Sequence, residues 1–345
     1  MNSERRGVKL QDGAEIFEYN DRACYKYNAK IKTAGDSCKV VFYKGGIMCG
    51  YPKNSKMAEM RKESQEEKEA VVYDPKLRFE KTGRRARVRL HDLVKSNINK
   101  HKDFRGKKQT FKMLTLTFRD DVKDLAMANK EFNLFIKRLN YVITGEKGYS
   151  FLRYVAVSEL QNENNRGVWH FHVLFFNLPF LPVSKDMVYR LVADGRLTNS
   201  YDVYRNIASI WGKGNVDVKK VSFSDSYDVA AYISKYVGKG MEGSFDFASD
   251  NGLLYKKRFL SSTGLIGPEV QIAFLSKEQR NSLFKYFKEN GKHFKKGGVI
   301  GTHFESFYFK NDYIGEVFGF DMRASLKRIS ILQEVFKSYS YGFEV

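Results

Sequence analysis

Cysteine is scarce in this chain of 345 residues: Cys24, Cys38 and Cys49 are all it has. An odd number with no Cys-x-x-Cys pair builds no disulfide framework. A zinc site would have to draw on all three and add a histidine; reduced, partly buried thiols are the expected state. Long apolar runs are missing as well. The start, Met1-Asn-Ser-Glu-Arg-Arg6, has no apolar signal core. The longest apolar run, Val173 to Val183, is broken by Asn177, Pro179 and Pro182 and is too short to span a bilayer. No basic amphipathic helix with a broad apolar face stands out, so no membrane partner is expected. These absences predict a soluble protein of the cytoplasm. No Gly-x-x-x-x-Gly-Lys-Ser/Thr sequence occurs, which excludes a P-loop ATPase or helicase engine. Internal repeats are also lacking.

Acidic residues are the minority: 40 Asp and Glu stand against 60 Lys and Arg, a net charge of +20. Such an excess predicts a polyanionic partner, nucleic acid first. It is not spread evenly. Residues 1–75 hold 14 basic and 12 acidic side chains and read as a nearly neutral N-terminal module. That module has strand-like runs such as Lys39–Tyr43 and a charged helix candidate, Lys56–Ala70. Residues 76–112 hold 14 Lys/Arg against three Asp/Glu, more than half of the whole excess. The centre of this segment, from Arg84 to Lys95, is helical in propensity, with Leu90, Leu93 and Val94 as its apolar stripe. Arg84, Arg85, Arg87 and Arg89 crowd what reads as the first turns. Cations there oppose the helix dipole, which points to an external anion such as phosphate. Arginine suits phosphate through its bidentate fork. Lys107 and Lys108 continue the basic stretch.

Hydrophobic content of 42% and aromatic content of 15% support a real core. Phe111–Phe118 alternates threonine with apolar residues and reads as a strand. An amphipathic helix, about Lys123 to Val142, carries Leu125, Phe132, Phe135, Ile136 and Leu139 at helical spacing. Phe151–Leu160 is a second strand, a polar loop runs from Gln161 to Gly167, and Gly167–Phe176 is a third strand. This order predicts an α+β fold: a central antiparallel sheet flanked by helices. Farther on come helices at Met187–Leu197 and Tyr201–Ile210, and a strand from Asn215. The next helix, Asp225–Val237, is ended by Gly238. Past residue 260 the signals weaken to a helix candidate at Lys277–Lys288, a glycine-rich basic stretch at Gly291–Gly301 and a final helix near Met322–Phe336.

The third strand contains His170-Phe-His172. Residues two apart on a strand leave the same face, so the two imidazoles project side by side and can share one metal ion. Glu159 ends the preceding strand, and the bend after it can bring a carboxylate alongside; Gln161 and Glu163 are alternatives. Two imidazoles with a carboxylate and open positions suit a Mg²⁺ or Mn²⁺ that also binds phosphate oxygen. In Ala231–Lys239, Tyr232 and Tyr236 share one helical face, and Lys235 and Lys239 form a parallel pair. The interleaved lysines make burial expensive and push the tyrosines towards a working surface.

Three of these stretches, in this order, resemble the motifs of the HUH endonucleases. The likeness is to the rolling-circle replication initiators of single-stranded-DNA phages and small bacterial plasmids. Leu114-Thr-Leu-Thr-Phe118 resembles the first strand motif, His170-Phe-His172 the metal-binding motif, and Tyr232-x-x-Lys235 the nucleophile motif. Its repeat at Tyr236-x-x-Lys239 is similar to the two-tyrosine branch. The resemblance covers roughly residues 77–265. It implies an HUH/RRM-like nicking domain over 107–265, entered by a basic helix over 76–112, with flanks at 1–75 and 266–345. It implies a Mg²⁺ or Mn²⁺ held by His170, His172 and an upstream ligand, best matched by Glu159. Tyr232 and Tyr236 would attack DNA with Lys235 and Lys239 beside them. A 5′-phosphotyrosine and a free 3′-OH would result. Single-stranded DNA and origin duplex would be the partners, bound in part by Arg84, Arg85, Arg87, Arg89, Lys107 and Lys108. A host helicase and polymerase would follow. A two-tyrosine transposase or relaxase shares this chemistry, and a non-catalytic nucleic-acid-binding protein would need only the charge.

Overall fold

Along the strand Val168–Phe175, Trp169, Phe171, Val173 and Phe175 alternate with His170, His172 and Leu174. Because successive side chains leave opposite faces, one strand serves two environments, and the central unit is built on that division. The computed structural model describes residues 6–9, 15–19, 22–35, 37–49, 74–108, 111–161, 167–197, 204–219, 226–242, 256–273, 275, 277–290, 292–299 and 302–310. The helix candidates Lys56–Ala70 and Met322–Phe336 lie outside them. The chain divides into two compact units, Asp74–Gly267 and a second made of Met1–Tyr73 with Pro268–Val345.

In the second unit, β1 (Arg6–Lys9), β2 (Glu15–Tyr19), β3 (Arg22–Ala34) and β4 (Ser37–Cys49) form an antiparallel run. The far end of the chain adds β10 (Glu269–Ala273), β11 (Lys292–Val299) and β12 (Thr302–Lys310). The order is β1-β2-β3-β4-β12-β11, with β10 also pairing β3. Gly35, at φ 59°, opens the two-residue turn that joins β3 to β4, a conformation that favours glycine. The glycine-rich stretch after Asn290 forms β11.

The central unit has five strands: β5 (Lys112–Thr117), β6 (Tyr154–Gln161), β7 (Val168–Phe175), β8 (Val216–Lys219) and β9 (Leu260–Ser261). Their order is β8-β5-β7-β6-β9, and every neighbouring pair is antiparallel. The α+β fold expected from the sequence is the one observed.

One face packs on α2 (Leu125–Thr144). Phe132, Phe135 and Leu139 of that helix meet Leu114, Leu116, Phe171 and Val173, all fully buried. Phe132 and Phe171 stack with centroids 4.7 Å apart. Burial of each such side chain stabilises the fold by about 1.5–3 kcal/mol. Asp124 caps α2, accepting from the N–H groups of Ala126 and Met127 at 2.9 and 3.1 Å. Gly145, at φ 74°, ends it.

The other face packs on α1 (Pro75–Asn97) and α5 (Ser226–Glu242), which are introduced with α3 (Lys185–Ala193) and α4 (Ile207–Trp211). A further helix, α6 (Lys277–Asn290), belongs to the second unit. Leu90 and Val94 of α1 and Val229, Ile233 and Val237 of α5 meet Met113, Val155, Val157 and Leu174. The buried amide of Asn97 pins the end of the unit. It donates to the carbonyls of Leu93 (2.7 Å) and Ile266 (2.8 Å) and accepts from the Ile266 N–H (2.8 Å).

The structure corrects two boundaries. α1 begins at Pro75 behind the N-cap Asp74, not near Arg84, because Phe79 is buried and Arg258 lies 3.9 Å over its ring. The four arginines therefore sit in mid-helix, and the dipole conflict expected of them does not arise. α5 runs through Gly238 to Glu242.

Candidate active site

The α1–α5 face changes character along its length. Near Lys112 it shows Met113, Val155 and Leu174, which are buried. Toward Thr117 the same alternation brings Thr115 and Thr117 of β5, Glu159 of β6, and His170 and His172 of β7. The register makes them neighbours: Thr115 pairs with His172, Thr117 with His170, and His170 with Glu159. Strand geometry alone thus gathers two imidazoles, a carboxylate and two hydroxyls.

His172 is buried, and both of its nitrogens are engaged. Nε2 lies 2.6 Å from Glu159 Oε2, and Nδ1 lies 3.3 Å from Thr115 Oγ1. An ionised carboxylate only accepts, so Nε2 carries the proton shared with Glu159. In the neutral ring, Nδ1 then accepts from the threonine hydroxyl. His170 is half-buried on the same face. Sequence reasoning misses Thr115, although the threonine–leucine alternation of Leu114–Phe118 already puts both threonines on the histidine face.

α5 brings the tyrosines. The Tyr236 ring stacks on His172, centroids 3.7 Å apart and 19° from parallel. The Tyr236 hydroxyl donates to the Tyr232 hydroxyl at 2.9 Å, and the two rings meet edge to face at 5.5 Å. Lys235 is exposed and reaches back over both rings, its Nζ 4.3 Å from the Tyr232 centroid and 5.3 Å from that of Tyr236. The two tyrosines are not equally placed. Tyr232 is half-buried. Tyr236 is only 9% exposed, so the lysines do not keep it on an open surface. Lys235 keeps its charge in water while its neighbour is buried. Burial raises the Tyr236 pKa above the usual phenol range; the hydrogen bond to Tyr232 and the charges of Tyr232 and Glu159 add to it.

The other sequence-derived residues stand apart. Arg84, Arg85, Arg87 and Arg89 are exposed on α1, and Arg84 pairs with Glu80 one turn back at 3.4 Å. Lys107 and Lys108 are exposed in a turn before β5, at the opposite end of the sheet from Thr117 and His170. Gln161 continues β6 with its backbone paired to Val168. Glu163 and the side chain of Lys239 fall outside what is described.

Among the described residues, no three His, Cys, Asp or Glu side chains are already gathered as a metal cage. The donor chemistry nevertheless fits a divalent cation. Adjacent ligand atoms about 2.1 Å from an octahedral ion stand roughly 3.0 Å apart. Nε2 of His172 and Oε2 of Glu159, 2.6 Å apart, need only part slightly as a cation replaces their proton. His170 is the register neighbour of Glu159.

Among the described residues, no helix is long and apolar enough to cross a membrane. No curated protein and no solved structure matches the chain. Residues 111–241 match the model of one family, that of the replication-associated protein ORF2. The matched span runs from the start of β5 through the His-x-His strand to both tyrosines, and leaves out α1 and the second unit. Over these residues the chain is similar to replication-associated proteins, which is consistent with a rolling-circle replication initiator.

Proposed function

We propose that the protein initiates rolling-circle replication by nicking one DNA strand with a tyrosine in an HUH-type site, and later rejoins it. The observation that carries this reading is the contact between the two tyrosine hydroxyls and the His172–Glu159 pair, through the stack of Tyr236 on His172. The family match over the same residues and the net charge of +20 support it.

Tyr232 is the first nucleophile. It is the more open of the two, and its oxygen receives the Tyr236 hydrogen bond, which steadies the phenolate as the proton leaves. Its oxygen attacks phosphorus. The new bond joins tyrosine to phosphate while the bond from phosphorus to the 3′ oxygen breaks. The 3′ oxygen takes up a proton and becomes the free hydroxyl that primes synthesis. The 5′-phosphotyrosine conserves the phosphodiester for rejoining. Lys235, over both rings, favours negative charge on them. His170, His172 and Glu159 would hold a Mg²⁺ or Mn²⁺, which supplies a Lewis acid and a template for the scissile phosphate. Thr115 and Glu159 fix the His172 ring from its two ends. Tyr236 performs the second transfer, which releases a circle, with Lys239 one turn farther along α5. The substrate is single-stranded or extruded origin DNA. This reading puts the work in the cytoplasm of a bacterial host, where a host helicase and polymerase would extend the 3′-OH.

The test is to incubate the full chain with single-stranded fragments of the replicon that encodes it, with Mn²⁺ or with EDTA. A protein–DNA adduct that survives denaturation, formed only with the metal, is expected. Binding without any adduct would make the protein a non-catalytic DNA binder.

A further inference from the structure

At the end of the sheet away from His170, residues 102–108 form a tight turn closed by a bridge between Lys102 and Lys108. It is held from inside. The Asp103 carboxylate is buried and accepts from the N–H groups of Arg105 and Lys107, both at 2.9 Å. The Asp103 N–H donates to the Lys107 carbonyl at 2.8 Å, and Gly106 takes the φ of 76° that the bend requires. The turn's single acid is thus consumed by its own backbone. Its four cations, Lys102, Arg105, Lys107 and Lys108, all point to solvent, and none forms an ion pair among the described residues.

Aromatic rings stand among these cations. Phe104, at the tip, is 48% exposed, and Tyr149 is 52% exposed. Both lean on Phe151: Phe104 edge-on at 6.4 Å and Tyr149 stacked at 6.4 Å and 24°. The Arg105 guanidinium lies 5.3 Å from the Phe104 centroid. A ring used only as a staple would be expected to bury both faces. Here the outer rings leave about half their surface to water on a pre-shaped support. Phosphate neutralisation by unpaired cations, combined with stacking on exposed rings, is how proteins hold unpaired nucleic-acid strands.

We propose that Phe104 and Tyr149, with Arg105, Lys107 and Lys108, form a base-stacking site for single-stranded DNA, separate from the nicking centre. β5 spans the sheet between them, five steps at about 3.3 Å, so the two lie roughly 17 Å apart along the strand. A DNA strand rising about 3.4 Å per stacked nucleotide covers that with roughly five nucleotides. The site anchors the substrate strand while its scissile phosphate lies by the tyrosines. The inference draws on the proposed function only for the identity of the polymer; it needs neither the metal nor the tyrosines.

The test uses the full chain in EDTA, where no nicking occurs, and compares an oligothymidylate with a blunt duplex. Removing one ring on which a base stacks weakens binding by about tenfold. The double substitution Phe104→Ala, Tyr149→Ala should therefore weaken the single strand by about a hundredfold and the duplex by less than about threefold. Equal loss on both, or no loss, overturns the site; unchanged affinity would give the rings to a protein partner instead. A second variant needs no loss of packing. Trp169 and Trp211, the chain's two tryptophans, are both buried. In Phe104→Trp the added indole should therefore be the solvent-exposed emitter, quenched when the oligothymidylate binds. Binding seen by anisotropy without quenching contradicts the proposal. The outcomes are separate from those of the nicking reading, which fails on the covalent adduct and not on metal-free binding.

Discussion

The two faces of the five-stranded sheet are made by the same strands and do different work. Toward α2, every inward position of β5 and β7 is apolar, and Phe132, Phe171 and Trp211 are buried without remainder. Toward α5, the alternate positions begin apolar and end as Thr115, Thr117, Glu159, His170 and His172. The first face supplies cohesion, and the second borrows it to hold polar groups that would not order themselves. Neighbouring residues on β7, one position apart, should therefore fail in opposite ways when changed.

The largest effect should come from crossing that division. His170→Ala and His172→Ala should each lower nicking on the order of a thousandfold, the loss of several kcal/mol of charge stabilisation. DNA binding and thermal stability should stay close to wild type. Phe171→Ala, between them, should cost about 3–5 kcal/mol of stability, and activity should fall only as the folded fraction falls. Denaturant melts and a nicking assay on the three variants check this. A His172→Ala protein that nicks normally in Mg²⁺ would break the comparison.

A smaller effect sharpens it. Thr115→Val keeps the shape and removes the hydroxyl next to His172 Nδ1. Partners of this kind typically tune metal affinity or activity by about 10–100-fold, so the metal concentration for half-maximal nicking should rise within that range. The melting curve should hardly move. The same loss at saturating metal would mean that the threonine acts on something other than the histidine.

The smallest effect belongs to the exposed helix. Replacing Arg84, Arg85, Arg87 and Arg89 with alanine should weaken DNA binding uniformly. The log–log salt slope should flatten by about 0.7–0.9 for each phosphate that is no longer neutralised. An unchanged slope would leave α1 as a packing element with a solvated outer side.

How much of this is legible in the sequence depends on distance along the chain. The His-x-His pair, the α2 stripe and the two threonines follow from periods of 2 and 3.6, which are local. Glu159 is within reach because only a short loop separates β6 from β7. The start of α1 is not, because its reason is remote: Phe79 is held by Arg258, and that pulls the helix back past Gly83 to Asp74. The unequal burial of the tyrosines is hidden for the same cause. Helical spacing puts Tyr232 and Tyr236 on one side of α5, but the stack on His172 depends on how α5 crosses the sheet. The pairing of β4 with β12, Tyr43 opposite Phe304, links positions that no local pattern connects.

The central claim is that Tyr232 and Tyr236 are the groups that take up DNA, Tyr232 first. Mass spectrometry of the trapped peptide tests it most directly, on the wild type, both single Tyr→Phe variants and the double variant. Phenylalanine keeps each ring and its packing and removes only the hydroxyl. The wild type should carry the adduct mainly on Tyr232. Tyr236→Phe should still form it there but release no unit circles. Tyr232→Phe should form it more slowly on Tyr236, and the double variant should form none. An adduct in the double variant, or one on any other residue of the wild type, would contradict the account.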